Sequence, residues 1–253
     1  MKPFLSLIFW TAACGAAAAA DAPTDPYNGN NTLSAAEKAA GWRLLWDGKT
    51  TDGWRSARAQ EFPKHGWTIK EGELIVNETG GKEAAAGGDI ITREKFSDFE
   101  LQVDFKITPG ANSGIKIFVD TELNKGKGSS IGPEFQILDD ARHPDAKLGR
   151  DGNRTLGSLY DLIPAPADKK VKPVGEWNHA EIIAKGKHVE FRLNGVKTVG
   201  FERGSQAWRD TVATSKFKNW PAFGELPQGH ILLQDHGNKV FFRNLKIRVP
   251  AAK

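Results

Sequence analysis

The sequence predicts an all-β protein, a sandwich of two antiparallel sheets of jelly-roll type. Short runs with period-two alternation recur along the chain, and Gly, Pro and Asn turn signals separate them at regular spacing. Helical texture is confined to two short stretches. The length, 253 residues with 39% apolar content, suits one large β domain with a sizeable core.

Taken in order, Met1–Ala20 reads as a signal peptide. Lys2 gives the charged n-region, Pro3–Trp10 opens the apolar region, and Ala16–Ala20 offers small residues for cleavage before Asp21. Cys14 follows Thr11-Ala12-Ala13, which places Thr where a bacterial lipobox has Leu, so a lipid anchor at Cys14 stands as the alternative. Residues 21–40 form a linker and a short helix that Ser34 and Glu37 start as a capping box. Residues 41–250 form a single domain.

Within it, Trp42–Trp46, Trp67–Lys70 with Glu73–Val76, and Asp89–Thr92 are short strands. Phe99–Ile107 alternates cleanly, with Phe99, Leu101, Val103, Phe105 and Ile107 on one face. Asn112–Val119 returns after Pro109-Gly110, with Ile115 and Ile117 inward and Asn112, Gly114, Lys116 and Phe118 on the other side. Gly132–Asp140 is a strand with Phe135 and Ile137 on one face and Glu134 and Gln136 on the other. Gly157–Ile163 reads as a short strand whose Tyr160 and Asp161 point to opposite faces. Glu176–Ala184, Lys187–Leu193 and Val196–Phe201 form hairpins, the last closed by the turn dipeptide Asn194-Gly195. Ser205–Phe217 is the second helical stretch, and Gly229–Asp235 and Val240–Val249 are the last strands.

Composition excludes several classes. The net charge of +4 comes from thinly spread Lys and Arg with no basic block, which argues against a nucleic-acid partner. No later stretch reaches the ~18 apolar residues of a membrane span. One cysteine rules out a disulfide within the chain. The motifs GxGxxG, GxSxG, HExxH and the P-loop are absent from the sequence.

The candidate site comes from the polar faces. Asn112, Lys116, Glu134, Gln136, His179, Glu181, Gln234 and His236, with Arg192 less firmly placed, lie opposite the apolar positions of their strands, and Tyr160 or Asp161 adds one more. Amides, imidazoles, a phenol and a carboxylate are the paired donors and acceptors that sugar hydroxyls require. Each also has a plain alternative, as a solvated strand face or a hydrogen-bonded turn. Of eight tryptophans, Trp54 is the candidate for a rim contact with a sugar ring, while Trp42 and Trp177 read as packing. Glu134, Asp140, His143 and His236 are candidate ligands for a divalent metal, without compact ligand spacing. Asp139 and Asp140 read either as a strand end or as part of such a site.

Several blocks in this order resemble one family. They are Gly41–Lys49 with Gly53-Trp54, Asn112–Ile115, Gly132–Asp139, Leu159–Ile163, Gly175–Asn178, Gly229–Gly237 and Phe242–Leu245, and together they are similar to the 3-keto-disaccharide hydrolases. The resemblance implies a concanavalin A-like sandwich, export to the bacterial periplasm or surface, and action on oxidised glycosides. It implies a base and an acid, for which Glu134 and His236 are the candidates, and a group at the ketone oxygen, for which Lys116, Gln136 or a metal would serve. A conventional glycosidase would instead pair Glu134 with Glu181 or Asp235 at about 5–5.5 or 6.5–9.5 Å. A non-catalytic carbohydrate-binding module is the remaining alternative; it would need amides and aromatics but no acid–base pair.

Overall fold

The alternating runs form two facing antiparallel sheets in a computed structural model, which describes residues 31–250 except Ala85 and Lys127. The segments read as a signal peptide, a lipid site at Cys14 and the start of the linker lie outside the described residues. The short helix is α1 (Ala35–Ala39). Its capping box is made: the Glu37 amide donates to Ser34 Oγ at 3.1 Å, and Glu37 Oε2 accepts from the Ser34 amide at 2.7 Å.

The larger sheet runs in the order β11 (Val196–Glu202), β10 (His188–Leu193), β9 (Trp177–Lys185), β6 (Phe99–Ile107), β13 (Val240–Arg248), β4 (Glu73–Val76) and β3 (Trp67–Lys70). Strand β1 (Trp42–Leu44) pairs with the far half of β13. The last strand thus lies between elements from the first half of the domain, as a jelly roll requires. The smaller sheet runs β2 (Trp54–Ser56), β5 (Ile90–Thr92), β12 (His230–Leu233), β7 (Asn112–Val119) and β8 (Glu134–Leu138).

The core lies between the sheets. Phe135 of β8 places its ring 6.3 Å from that of Phe105 on β6 and 5.5 Å from that of Phe191 on β10, so one side chain ties both sheets together. Burying an aromatic of this size contributes roughly 1.5–3 kcal/mol. Because side chains alternate, anchoring Phe135 and Ile137 in the core turns Glu134 and Gln136 to the opposite face of the smaller sheet.

Three local expectations differ from the structure. Phe118 belongs to the core, not the polar face: its backbone is left-handed (φ 49°), and the β7–β12 register shifts there, so alternation restarts one residue out of phase. Gly157–Ile163 is a turn held by single bridges of Leu159 to Phe135 and Ile163, with Asp161 at φ 61°. The second helix, α2, spans only Gln206–Ala213; Ser205 caps it, and the rest of Ser205–Phe217 is turn. Strand β13 loses its alternation at Asn244, which is left-handed (φ 52°) where the register with β6 shifts. Asn194-Gly195 forms the expected turn with positive φ at both residues.

Candidate active site

The polar face of the smaller sheet is the floor of a 340 Å³ cavity. Asn112, Glu134 and Gln136 line it from the sheet, Gln234 and His236 from the chain just past β12, and Tyr160, His143 and Lys216 from crossing loops. Six of the residues proposed from sequence for catalysis or sugar binding therefore meet in one place, joined by the proposed metal ligand His143.

Glu134 is the centre of the floor and only 4% exposed. Its neighbour across the β7–β8 ladder on one diagonal is Gly114, where a Cβ would fall 2.1 Å from Glu134 Oε1. The glycine is thus the space that the carboxylate fills. Directly opposite is Lys116, with Nζ 3.6 Å from Glu134 Oε2. Burial raises the Glu134 pKa above the ordinary carboxylate range; Lys116 and Lys216 oppose this, while Glu83 and Asp89 add to it.

Lys116 does not line the cavity. It is buried beside Glu134 on the same face, in contact with Ser129 Oγ and donating to the Ser130 carbonyl at 3.1 Å. Ser129 Oγ donates onward to Asp89, whose other oxygen accepts from the Asp235 amide at 3.0 Å. This buried chain links Glu134 to the strand end that carries Gln234 and His236. Ser113 Oγ reinforces that end by donating to the Gln234 carbonyl at 2.8 Å.

The opposite wall is held by ionic clamps. Tyr160 donates its hydroxyl to Asp145 Oδ2 at 2.7 Å, and Arg154 grips Asp145 Oδ1 at 2.8 Å and Asp161 Oδ1 at 2.7 Å. Asp161 Oδ2 then accepts from the Lys216 amide at 2.7 Å, which sets that loop in place. Lys216 Nζ rests 4.1 Å from the centre of the Tyr160 ring. The loop is further braced by stacked rings, Phe201 on Trp208 at 5.0 Å and Phe217 on Phe223 at 4.3 Å.

These contacts set the charges. Burial, then the Asp145 hydrogen bond, pushes the Tyr160 phenol up, so it stays protonated. Burial opposes ionisation of Asp145, but Arg154 and Tyr160 outweigh it and hold the carboxyl low. Desolvation by the surrounding groups pushes the Lys216 ammonium down, against Glu134, with Lys116 and Arg154 adding to the fall. Burial, then the neighbouring His236, lowers His143. The two imidazoles meet edge to face at 5.9 Å, and His143 Nδ1 accepts from the Asp145 amide at 3.2 Å, which places the neutral ring's proton on Nε2. Gln136 Oε1, Gln234 Oε1 and His236 Nδ1 are buried and carry no hydrogen bond within the protein. In a polar pocket such unpartnered atoms suit the hydroxyls of a bound sugar.

Three sequence-proposed binders lie elsewhere. Trp54 is 1% exposed, a core residue whose Nε1 donates to the Leu45 carbonyl at 2.9 Å, and it makes no rim. His179 sits on β9 of the larger sheet, where its Nδ1 meets Asp104 Oδ1 at 2.6 Å; alternation gave the right face of the wrong sheet. Lys116 is the third, buried beside Glu134 against Ser129 and outside the cavity lining. Asp140 also faces away, accepting from the Leu156 amide at 2.7 Å and pairing with Lys169 at 2.9 Å. The four proposed metal ligands therefore do not assemble. Among the described residues no three His, Cys, Asp or Glu side chains gather closely enough to hold an ion, and no step below is routed through a metal. Asp139 is a strand end, accepting from the Gly110 amide at 2.8 Å and the Ala141 amide at 3.2 Å.

The two-carboxylate pairs are not assembled either. Glu181 lies on β9, and Asp235 is fully buried, with its oxygens on the Gly87, Gly88 and Gly237 amides. Sequence reasoning missed Lys216, Asp145 and Glu83. All three sit outside strands, where no alternation marks a face.

The 3-keto-alpha-glucoside-1,2-lyase-like domain matches residues 41–248. A 3-keto-disaccharide hydrolase of Bacteroides thetaiotaomicron is 39% identical over 231 residues, covering 83% of this chain and 79% of that protein. A solved structure of a candidate glycosyl hydrolase from Parabacteroides distasonis is 30% identical, with a TM-score of 0.76 over 87% of this chain and 99% of that one. A second such structure from the same organism is 28% identical, with a TM-score of 0.61 over 83% of this chain and 99% of that one. With its sandwich fold and a match along nearly the whole described chain, the protein belongs to the 3-keto-alpha-glucoside-1,2-lyase-like family.

Proposed function

We propose that the protein is an exported enzyme that cleaves the glycosidic bond of 3-keto-glycosides by elimination and hydration, with net hydrolysis. The observation that carries this reading is the buried Glu134, its proton affinity raised, in one cavity with two imidazoles and a lysine. Such a set supplies base, acid and electrophile without a carboxylate pair.

A ketone at C3 acidifies the proton on C2. Glu134 removes that proton, and Lys216 stabilises the negative charge that develops on the ketone oxygen. The C1–O bond breaks, its electron pair goes to the departing oxygen, and the His236 imidazolium delivers a proton there. The remaining sugar is an enone with a C1=C2 double bond. While the leaving group departs, the Glu134 proton exchanges with solvent; water then adds at C1, returning a proton to His236, and C2 recovers a solvent-derived proton from Glu134. Tyr160, kept protonated, and the amides Asn112, Gln136 and Gln234 orient the ring hydroxyls. His143, with its proton on Nε2, orients the leaving side.

Export is supported by the charged, apolar and small-residue order of Met1–Ala20. The test is turnover of a 3-keto-glucoside beside the ordinary glucoside. The reading expects the first to be cleaved and the second to be inert, with Glu134→Gln and His236→Ala each losing orders of magnitude in rate. Equal cleavage of both glucosides, or none of either, would overturn it.

A further inference from the structure

The catalytic cavity does not end at Glu83. That residue also lines a 420 Å³ cavity whose walls include the bare backbone of Gly87, Gly88, Gly126 and Gly128. This second space shares Ala57 and Arg58 with a third, of 500 Å³, which Arg55 and Arg58 line together with Gln60, Thr121 and Asn124. The three cavities share walls in sequence, from Glu134 to the end of β2, which lines them up along one side of the molecule.

The far end of the groove is cationic. Arg55 is half-buried, and its Nη1 donates to the Ser56 and Ala59 carbonyls at 2.9 and 3.2 Å. Arg58 donates to the Gly128 and Asn124 carbonyls, which fixes its plane across the groove. Neither guanidinium is paired with a carboxylate of the described residues, and Arg93 adds a like charge beside Arg55. Glu122, the one carboxylate of that cavity, is already paired with Lys125 at 2.6 Å. Arginines held on backbone carbonyls keep their remaining N–H donors in a fixed fork, the geometry that suits a planar or tetrahedral oxyanion.

We infer that this arginine end is a subsite for an anionic substituent, a carboxylate or a sulfate ester, on a saccharide that runs along the groove from the catalytic cavity. The inference rests on the proposed function only for the position of the reacting ring. The glycine-lined middle gives a sugar unit close backbone approach, and the two arginines then select acidic chains over neutral ones. Guanidinium N–H donors held in place by backbone carbonyls meet an anion with less ordering cost than free lysines do.

Calorimetry tests this without turnover, so its outcome is separate from that of the elimination reading. The probes are trigalacturonate, a sulfated trisaccharide and neutral maltotriose, titrated into the wild type and Arg55→Gln/Arg58→Gln. At least one acidic probe is expected to bind about tenfold or more tighter than maltotriose. That margin is expected to fall with added salt and to vanish in the double variant. Which acidic probe binds identifies the substituent as uronate or sulfate. Should the double variant fail to fold, the exposed Arg58→Gln alone is expected to lose most of the margin. Equal affinity for the three probes, no binding of an acidic one, or an acidic preference that survives the substitutions would overturn the inference.

Discussion

Gly114 and Glu134 occupy one volume: a methyl group on the glycine would stand 2.1 Å from the carboxylate's Oε1. The backbone of β7 therefore reserves the position from which β8 presents its acid. Gly114→Ala is expected to fold, since the clash is with a side chain, with a stability loss of about 1–3 kcal/mol from overpacking. The displaced carboxylate should lower kcat by about 10²-fold, because errors near 1 Å at a reacting group have effects of that size. Near-normal kcat in a folded variant would show that the position of Glu134 is not critical.

Glu134 should also leave a signature in stability. Its folded pKa lies above its unfolded value because burial outweighs the nearby lysines. Between the two values the folded protein holds a proton that the unfolded chain has released, so this contribution is full at low pH and is lost as pH rises through the folded pKa. Glu134→Gln removes the dependence. The stability of the wild type minus that of the variant, from denaturant unfolding at several pH values, is expected to fall from the ordinary carboxylate range upward and then level off. A difference that rises with pH would contradict the assignment.

The two lysines near Glu134 should separate cleanly. Lys116 is 5% exposed beside Glu134, so Lys116→Met strands buried carboxylates and is expected to reduce stability by about 3–5 kcal/mol. It also removes a charge that lowers the Glu134 pKa, so the acid limb of the pH–rate profile should move up. Lys216 reaches solvent, and Lys216→Met is expected to change stability little while lowering kcat about 10²–10³-fold, as loss of an oxyanion partner does. Melting curves and kinetics on both variants check the split, and equal effects on both properties would contradict it.

Alternation exposed the floor of the site before any coordinates, because Phe135 and Ile137 are apolar enough to fix which way Glu134 and Gln136 point. The same rule puts Asn112 on the cavity side, and Gln234 and His236 join it from just past β12. It failed where a strand does not keep its phase or where the sheet is ambiguous. Phe118 has a left-handed backbone that no composition marks. His179 has the right alternation, but period two does not say which of two sheets a strand joins. Trp54 reads from sequence as a rim contact, yet its indole donates to the Leu45 carbonyl inside the core. Lys216 and Asp145 come from loops whose positions depend on the Arg154–Asp161 clamp, a long-range contact that local pattern does not encode.

In this mechanism a base takes the proton from C2 before the C1–O bond breaks, and water adds at C1 only afterwards. Turnover of a 3-keto-glucoside in D₂O, read by mass spectrometry against an enzyme-free control, measures this directly. The account expects enzyme-dependent deuterium at C2 of the released keto sugar, and its loss together with turnover in Glu134→Gln. Full cleavage with no deuterium at C2 above the control would contradict elimination and point to direct displacement at C1.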